Sequence, residues 1–566
     1  MGRIGSAVVA LLATLLVASG CTQEPPERGA IEPVADREDA PVEPSPPAPG
    51  PAELLGLRTG WGPTADELDR AARLVSRLRL PELAGQVIVA DWRGTGAPTE
   101  MVRRLHLGGV IAFADNVESA SQIRDVNARL RRTAGRGWPL FLAVDQEGGI
   151  VQRVRGRATG FPAFMSAGAA DDLRLTRSAA RASGAELRGL GFTVDFAPDA
   201  DVTSGPADPT IGSRSVGSDP DQVAEHAVAA AQGYLDAGVA PVLKHFPGHG
   251  SVPTDSHQGL PVQSRTLRAL RRVDLVPFRA GVAAGLPAVM VGHLDVRAVD
   301  PRVPSSLSRK VVTGLLRRDL GFDGLVVTDS LEMAAVGRRG PARAAVQALR
   351  AGNDVALMPA DPAAARAGLV KAVRSGALPR ERLEQAAARQ VALLLHGRGH
   401  AGAAPGTGRA ASRALSAAAV TVVAGPCRGT LLQARPVPFG DRASVAAFRA
   451  AAAASGLALG RVEYRKPPKP TGKKKIRRWR RLEPTPVFHG VPVGFAGYGD
   501  PAPAGAEVLV ATDTPYILGR SGAAIRVATF GVTPGAMAAL VAVLQGRRRA
   551  PGRLPVDVAG ISRRGC

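Results

Sequence analysis

Pro241-Val242-Leu243-Lys244-His245-Phe246-Pro247-Gly248-His249-Gly250 reads as a short buried strand that opens into a loop at its own charged residues. The apolar start favours a strand, and Pro247, Gly248 and Gly250 break regular structure directly after it. Seven other runs repeat the pattern: Gln86-Ala90, Gly109-Ala114, Leu140-Asp145, Phe192-Asp201, Ala288-His293, Gly324-Asp329 and Asp354-Met358. Each is followed by a polar or Gly-rich turn and a helical stretch. Near-continuous apolar strands alternating with amphipathic helices mark a parallel sheet covered by helices, and eight such units predict an α/β fold of the closed (β/α)8 TIM-barrel type over residues 56–400. The rival is an open doubly wound sheet, but no Gly-rich dinucleotide fingerprint follows the first strand.

A barrel places its chemistry at the C-terminal ends of its strands. Asp145, Asp199, Asp201, Lys244, His245, His293 and Asp329 all fall there. Asp199 and Asp201 are the candidates for a structural role, because strand ends need carboxylates to satisfy loop amides. Beyond the fifth strand, Asp255-Ser256-His257 sets a carboxylate two residues from an imidazole, close enough in a turn to orient it and support its protonated form. The surrounding Pro247, Gly248, Gly250 and Pro253 predict a loop that swings over bound ligand. His245, His249 and His257 raise the question of a metal, yet Pro247 and Gly248 preclude the helical turn that pairs two His four residues apart, so no metal is expected. No phosphate-cradling Gly-Lys-Ser/Thr loop is present either, and no cofactor is expected.

The chain's 566 residues exceed one ordinary domain, and a hydrophobic fraction of 45% allows more than one core. After about residue 400, apolar segments around Ala419-Ala424, Glu507-Ala511 and Ala524-Phe530 predict a smaller α/β domain over 401–566. The net charge is +23, and residues 465–481 hold ten Lys or Arg and no acid. Pro467, Pro468, Pro470 and Gly472 interrupt that run, and aromatic residues make up only 4% of the chain, so nucleic acid is not expected as a partner. A solvated insertion, or a basic loop touching an anionic envelope polymer or lipid headgroups, accounts for it.

The N-terminus reads as an export signal over residues 1–20: Met1-Gly2-Arg3 is basic, Ala7 to Val17 is apolar, and Ala18-Ser19-Gly20-Cys21 ends it. The run is too short to span a bilayer as an ordinary helix. Its last four residues resemble a bacterial lipobox, which implies cleavage before Cys21, lipidation of that residue and attachment to the outer face of the cell membrane. Residues 21–55, rich in Pro and Glu, read as a disordered tether. Cys427 and Cys566 remain as a pair that an oxidising compartment would allow to join.

Val144-Asp145-Gln146-Glu147-Gly148-Gly149, Ile211-Gly212-Ser213-Arg214-Ser215, Lys244 to Leu260 and Val327-Thr328-Asp329 together resemble glycoside hydrolase family 3, in its bacterial β-N-acetylglucosaminidase branch. The resemblance covers about residues 60 to 400. It implies Asp329 as nucleophile and His257 as general acid/base, oriented by Asp255. It also implies contacts from Asp145, Arg153, Arg214, Lys244 and His245 to the terminal sugar. Ile150 and Val216 depart from the branch, where Arg and an aromatic residue are common. The ending Gly552-Arg553-Leu554-Pro555-Val556 is similar to a second domain that often follows the barrel in this family; with His257 in the barrel, that domain is expected to support the fold and not to take part in catalysis.

Chemistry agrees with these roles. Retaining hydrolysis needs a carboxylate on one face of the anomeric carbon and a proton donor beside the leaving oxygen. An imidazole, which titrates near about 6.5, can donate and then accept that proton. The expected activity is release of terminal β-linked N-acetylglucosamine from cell-wall-derived saccharides through a covalent glycosyl-enzyme. A phosphorylase or a β-glucosidase on the same site, and a non-catalytic saccharide-binding lipoprotein, are the alternatives.

Overall fold

The computed structural model describes residues 48–256, 258–466, 468–471, 475, 479, 485–565. The export signal, Cys21, most of the tether, His257, much of the basic run and Cys566 lie outside the described residues. Among those described, no helix is long and apolar enough to cross a membrane.

The first part of the chain carries strands β1 (Ile88–Ala90), β2 (Gly109–Ala112) and β3 (Phe141–Val144), then a small hairpin, β4 (Gln146–Gly148) and β5 (Val151–Gln152). It continues with β6 (Val194–Asp195), β7 (Ala240–Pro241), β8 (Leu243–Phe246), β9 (Val262–Gln263), β10 (Ala288–Val291), β11 (Asp295–Val296), β12 (Leu325–Thr328) and β13 (Ala356–Leu357). A parallel sheet runs in the order β13-β1-β2-β3-β6-β7, and a second runs β12-β10-β8. Only Val242 separates β7 from β8, and single parallel bridges join Asp199 to Lys244 and Val327 to Val355. The parallel sheet is therefore curled, with helices between successive strands.

β2, β3, β8, β10 and β12 are buried at every position. Such strands need cover on both faces, which the helices give. Ser119, Asp172, Asp219 and Asp361 cap four of them, each side chain accepting from the first free backbone amides. At the N-terminal end of the strands, buried Asp354 gathers Arg317 at 2.5 Å, Arg382 at 2.9 Å and Arg389 at 3.3 Å, and also accepts from Val326 N at 2.9 Å. Burial alone would raise its pKa, but the three guanidiniums hold it below the usual carboxylate range. This cluster ties β12, β13 and the helix Arg380–His396 together at the end opposite the site.

The remainder holds β14 (Thr421–Ala424), β15 (Pro436–Gly440), β16 (Arg461–Arg465), β17 (Thr485–His489), β18 (Val491–Ala496), β19 (Val508–Ala511) and β20 (Ile525–Ala528). Five of these make a mixed sheet in the order β14-β20-β19-β18-β15, antiparallel only at β14. Helices Arg442–Ala454 and Pro534–Leu544 contribute buried faces to its core. β16 and β17 pair as an exposed antiparallel hairpin. Cys427 is disulfide-bonded. Met165 and Ala169 from the first part share a core with Leu509, Phe530 and Leu554. Backbone bonds Ala163 N to Phe530 O (2.9 Å) and Ser218 N to Pro555 O (3.1 Å) lock the C-terminal sheet against the loops that follow β3 and β6.

Candidate active site

Two cations and two carboxylates form the base of the site. Lys244, in β8, is 2% exposed and places Nζ 2.7 Å from Asp145 Oδ1 and 2.5 Å from Glu147 Oε1. Arg214 donates Nε and Nη2 to the two oxygens of Glu147, both at 2.8 Å, in the planar fork geometry that suits a carboxylate. The β4–β5 hairpin brings Glu147 inward, turning through Gly148 (φ +101°) and Gly149 (φ +55°); a Cβ on Gly149 would stand 2.7 Å from Ala163 Cβ. Burial opposes ionisation of Glu147, but Arg214 and Lys244 outweigh it and hold the carboxyl well below its ordinary range. Burial likewise opposes the charge of Lys244, and Asp145 and Glu147 more than restore it. The result is a rigid quartet in which Glu147, Lys244 and Arg214 hold one another charged and donors face the cavity.

Beneath it lies a second layer. Asp201 accepts from His245 Nδ1 at 2.7 Å and from the amides of His245 (3.2 Å) and His249 (2.5 Å). Asp199 accepts from Asp201 N at 2.9 Å and lies 3.5 Å from Arg214 Nη2. Asp199 and Asp201 thus both serve loop amides, and Asp201 orients His245. Burial, with Asp201 beside it, pushes Asp199 well above the carboxylate range. His249 is held neutral, its pKa lowered to about 4 by burial and by His245. Ligand atoms of Asp199, Asp201 and His245 come within 4.8 Å of one another, a spacing that would suit a cation in isolation. Here Asp201 is already committed to His245 and two backbone amides, and Asp199 to the Asp201 amide and Arg214, so the cluster fits an orienting role better than a metal.

Asp329 follows β12 directly. Its amide donates to Val291 O at 2.9 Å, and Oδ1 accepts from Ser330 N at 2.8 Å, which fixes the carboxylate at the strand end. Neighbouring His293 is buried and bonded to Ser306 Oγ (2.7 Å) and Ser330 O (2.8 Å), so it braces the Asp329 loop from behind. Arg153 stands with its guanidinium carbon 5.4 Å from the ring centre of Phe113.

A cavity of about 770 Å³ opens over this constellation, lined by Asp145, Arg153, Arg214, Lys244, His245, Asp255 and Asp329. The structure therefore brings together every expected catalytic and sugar-binding residue that falls among the described residues. His257 lies outside the described residues, and so does Cys21. Ile111, Phe113, Phe196, Met290 and Leu357 give the cavity an apolar floor.

Two further residues belong to the site that sequence reasoning missed. Glu147 is the hub of the charged quartet; its signal was an acid in a Gly-rich turn straight after a strand-end Asp. Tyr498 comes from the C-terminal sheet region, lines the same cavity and donates its hydroxyl to Pro209 O at 3.2 Å. Nothing local to Gly497-Tyr498-Gly499 announces that contact.

A model of the glycosyl hydrolase family 3 N-terminal domain matches residues 79–393. The β-hexosaminidase LpqI of Mycobacterium tuberculosis is 38% identical over 336 residues, which span 57% of this chain and 83% of that protein. β-Hexosaminidase A of Pseudoalteromonas piscicida is 38% identical over 282 residues, and this chain spans about half of its length, 47%. Among solved structures, a glycoside hydrolase family 3 β-N-acetylglucosaminidase from Paenibacillus sp. str. FPU-7 superposes with a TM-score of 0.74 at 30% identity, covering 85% of this chain and 99% of its own. With the matched region running from before β1 to beyond β13, the chain belongs to glycosyl hydrolase family 3, in its bacterial β-hexosaminidase branch.

Proposed function

We propose that this protein is a retaining β-N-acetylglucosaminidase that removes terminal β-linked N-acetylglucosamine from cell-wall-derived saccharides. The observation that carries the reading is the convergence of Asp145, Arg153, Arg214, Lys244, His245, Asp255 and Asp329 on one cavity. Asp329 Oδ attacks the anomeric carbon as the glycosidic C–O bond breaks, and His257, oriented by Asp255, gives its proton to the leaving oxygen. The neutral imidazole then takes a proton from water, which attacks the same carbon and releases Asp329. Arg153, Arg214, Lys244, His245 and Asp145 hold the sugar's hydroxyls and acetamido group.

The strand pairings support a closed (β/α)8 barrel over residues 56–400: the two parallel sheets meet at β7 and β8, and the Val327–Val355 bridge links the far edges. The smaller α/β domain then occupies 401–566. The lipobox-like ending at Cys21 supports an exported protein held by lipid to the outer face of the membrane, with residues 21–55 as its tether. The basic run 465–481, with its ten Lys or Arg and no acid, would meet an anionic envelope polymer.

Turnover of a chromogenic N-acetylglucosaminide by the parent, Asp329→Ala and His257→Ala proteins tests the assignment. Asp329→Ala is expected to abolish the reaction. His257→Ala is expected to slow saccharides far more than substrates with a good leaving group, which need less proton donation. Equal loss on both substrate types would remove His257 from the role of acid. Formation of sugar 1-phosphate on adding phosphate would replace the hydrolase with a phosphorylase.

A further inference from the structure

Two separate stretches of chain meet at one end of the C-terminal sheet: residues 425–430, which follow β14, and residues 546–550, which follow the helix Pro534–Leu544. Ala424 pairs there with Arg526 at the start of β20, whereas Tyr498, which reaches the catalytic cavity, follows the last residues of β18 at the opposite end. Leu431 N donates to Leu544 O at 2.9 Å, and Gly546 (φ +69°) passes so close that a Cβ on it would stand 2.4 Å from the carbonyl carbon of Gly429. Between the stretches opens a cavity of about 230 Å³, lined by Arg428, Arg548 and Arg549 together with the apolar side chains of Val422, Leu431 and Val543. Like charges gathered with no acid beside them repel one another in the unliganded protein, so their convergence calls for an anion. We propose that this pocket binds the phosphodiester of an anionic polyol-phosphate chain.

The donors favour phosphate. No Asp or Glu lines the pocket, and none of the three arginines makes an ion pair or a side-chain hydrogen bond among the described residues. Each guanidinium therefore keeps the planar fork of N–H groups that matches two oxygens of one phosphate. A helix C-terminus attracts the cations that follow it, which accounts for Arg548 and Arg549, but Arg428 comes from the other stretch and owes its place to no dipole. The walls are fixed before any ligand arrives: Cys427 is disulfide-bonded, and Thr430 Oγ1 donates to Leu544 O at 3.2 Å, so little ordering is left to binding. The apolar part of the lining suits carbon attached to the phosphate over a bare ion. Cations that continue past the pocket favour a repeating chain over a single headgroup. Arg435 precedes β15 and Arg461 opens β16; Gly460 N, bonded to Pro436 O at 2.9 Å, sets the two side by side at this same end of the sheet. Both are exposed, and neither forms an ion pair among the described residues. Residues 401–566 as a whole hold 25 Lys or Arg against 7 Asp or Glu, so this part supplies +18 of the chain's +23.

Equilibrium binding to the full chain tests the pocket at about 0.15 M salt, where attraction between exposed charges is screened beyond about 8 Å. The probe is a glycerol phosphate tetramer, and inorganic phosphate and glycerophosphoglycerol, the soluble headgroup of phosphatidylglycerol, form the other arms. The tetramer should bind saturably and raise the unfolding midpoint. Its Kd should rise at least about tenfold in the Arg428→Gln/Arg548→Gln double variant, which loses two of the three forks. Because both side chains are exposed, the unliganded midpoint of that variant should be no lower than the parent's. Saturable binding should survive when the ten Lys and Arg of 465–481 are changed to Gln. A Kd within twofold of the parent's in the double variant overturns the site. Loss of all binding in the 465–481 variant also overturns it, since the basic run is then the binder. Inorganic phosphate or glycerophosphoglycerol binding as tightly as the tetramer overturns the repeating chain as the ligand.

Discussion

Replacing Glu147 with Gln tests the charged quartet most severely. The carboxylate, 4% exposed, makes three contacts at 2.8, 2.8 and 2.5 Å to Arg214 and Lys244, themselves 13% and 2% exposed. An amide keeps the shape but removes the charge and turns an N–H towards a cation. Leaving buried charge without its partner costs about 3–5 kcal/mol. Lys244 keeps Asp145 at 2.7 Å, and Arg214 keeps Asp199 at 3.5 Å, so the lower end applies. About 3 kcal/mol corresponds to roughly a hundredfold in an equilibrium or rate. Steady-state kinetics on a chromogenic N-acetylglucosaminide, alongside thermal unfolding, should show kcat/KM down by about that factor and a lower unfolding midpoint. Because the folded-state pKa of Glu147 is depressed, its stabilisation is complete above the ordinary carboxylate pKa of about 4.3 and is lost as pH falls through the folded value. Glu147→Gln should therefore lie furthest below the parent at neutral pH. A variant within threefold of the parent in kcat/KM, with an unchanged midpoint, would refute the role of Glu147 as hub.

Three other outcomes follow from the same geometry. Asp354→Ala strands three guanidiniums at the foot of the strands, and denaturant unfolding should show a loss of about 3–5 kcal/mol, far more than an exposed Asp such as Asp125 would give. Asp195, buried and bonded to Gln146 N at 2.9 Å, has its pKa raised by burial to about 8, so the folded protein binds a proton that the unfolded chain releases above about 4; stability falls as pH rises through that window, and Asp195→Asn should raise the melting temperature at pH 9 while changing it little at pH 5. Changing the ten Lys and Arg of 465–481 to Gln should weaken sedimentation with an anionic teichoic-acid-type polymer at low salt and leave turnover of a small chromogenic substrate intact.

The eight apolar runs were legible because strands covered on both faces carry their own composition, and the strand-end residues Asp145, Lys244, His245 and Asp329 followed from that pattern. Glu147 escaped because alternation along an extended strand does not foretell the β4–β5 hairpin, in which Gln146 uses its side chain to bond Arg153 N (2.9 Å), Val154 N (3.0 Å) and Val154 O (3.0 Å). That closure rotates Glu147 towards Lys244 and Arg214. Tyr498 escaped for a different reason: its partner Pro209 lies 289 residues away, and only the packing of the C-terminal sheet on the loop after β6 brings them together. The expectation that the C-terminal part gives structural support alone needs widening, since it lends a ring to the cavity wall. Asp354 was read as the start of a strand, and its three arginines, drawn from two helices, are a tertiary fact that strand patterning does not carry.

The covalent intermediate offers the most direct test. A 5-fluoro-N-acetylglucosaminyl fluoride slows both chemical steps but leaves a good leaving group, so a retaining enzyme accumulates as its glycosyl ester. Intact-protein mass spectrometry followed by peptide mapping should find one added 5-fluoro-N-acetylglucosaminyl group, carried by the peptide that contains Asp329. Label on a different carboxylate, or full turnover of substrate with no trapped adduct and an inverted anomer as product, would contradict Asp329 as the nucleophile.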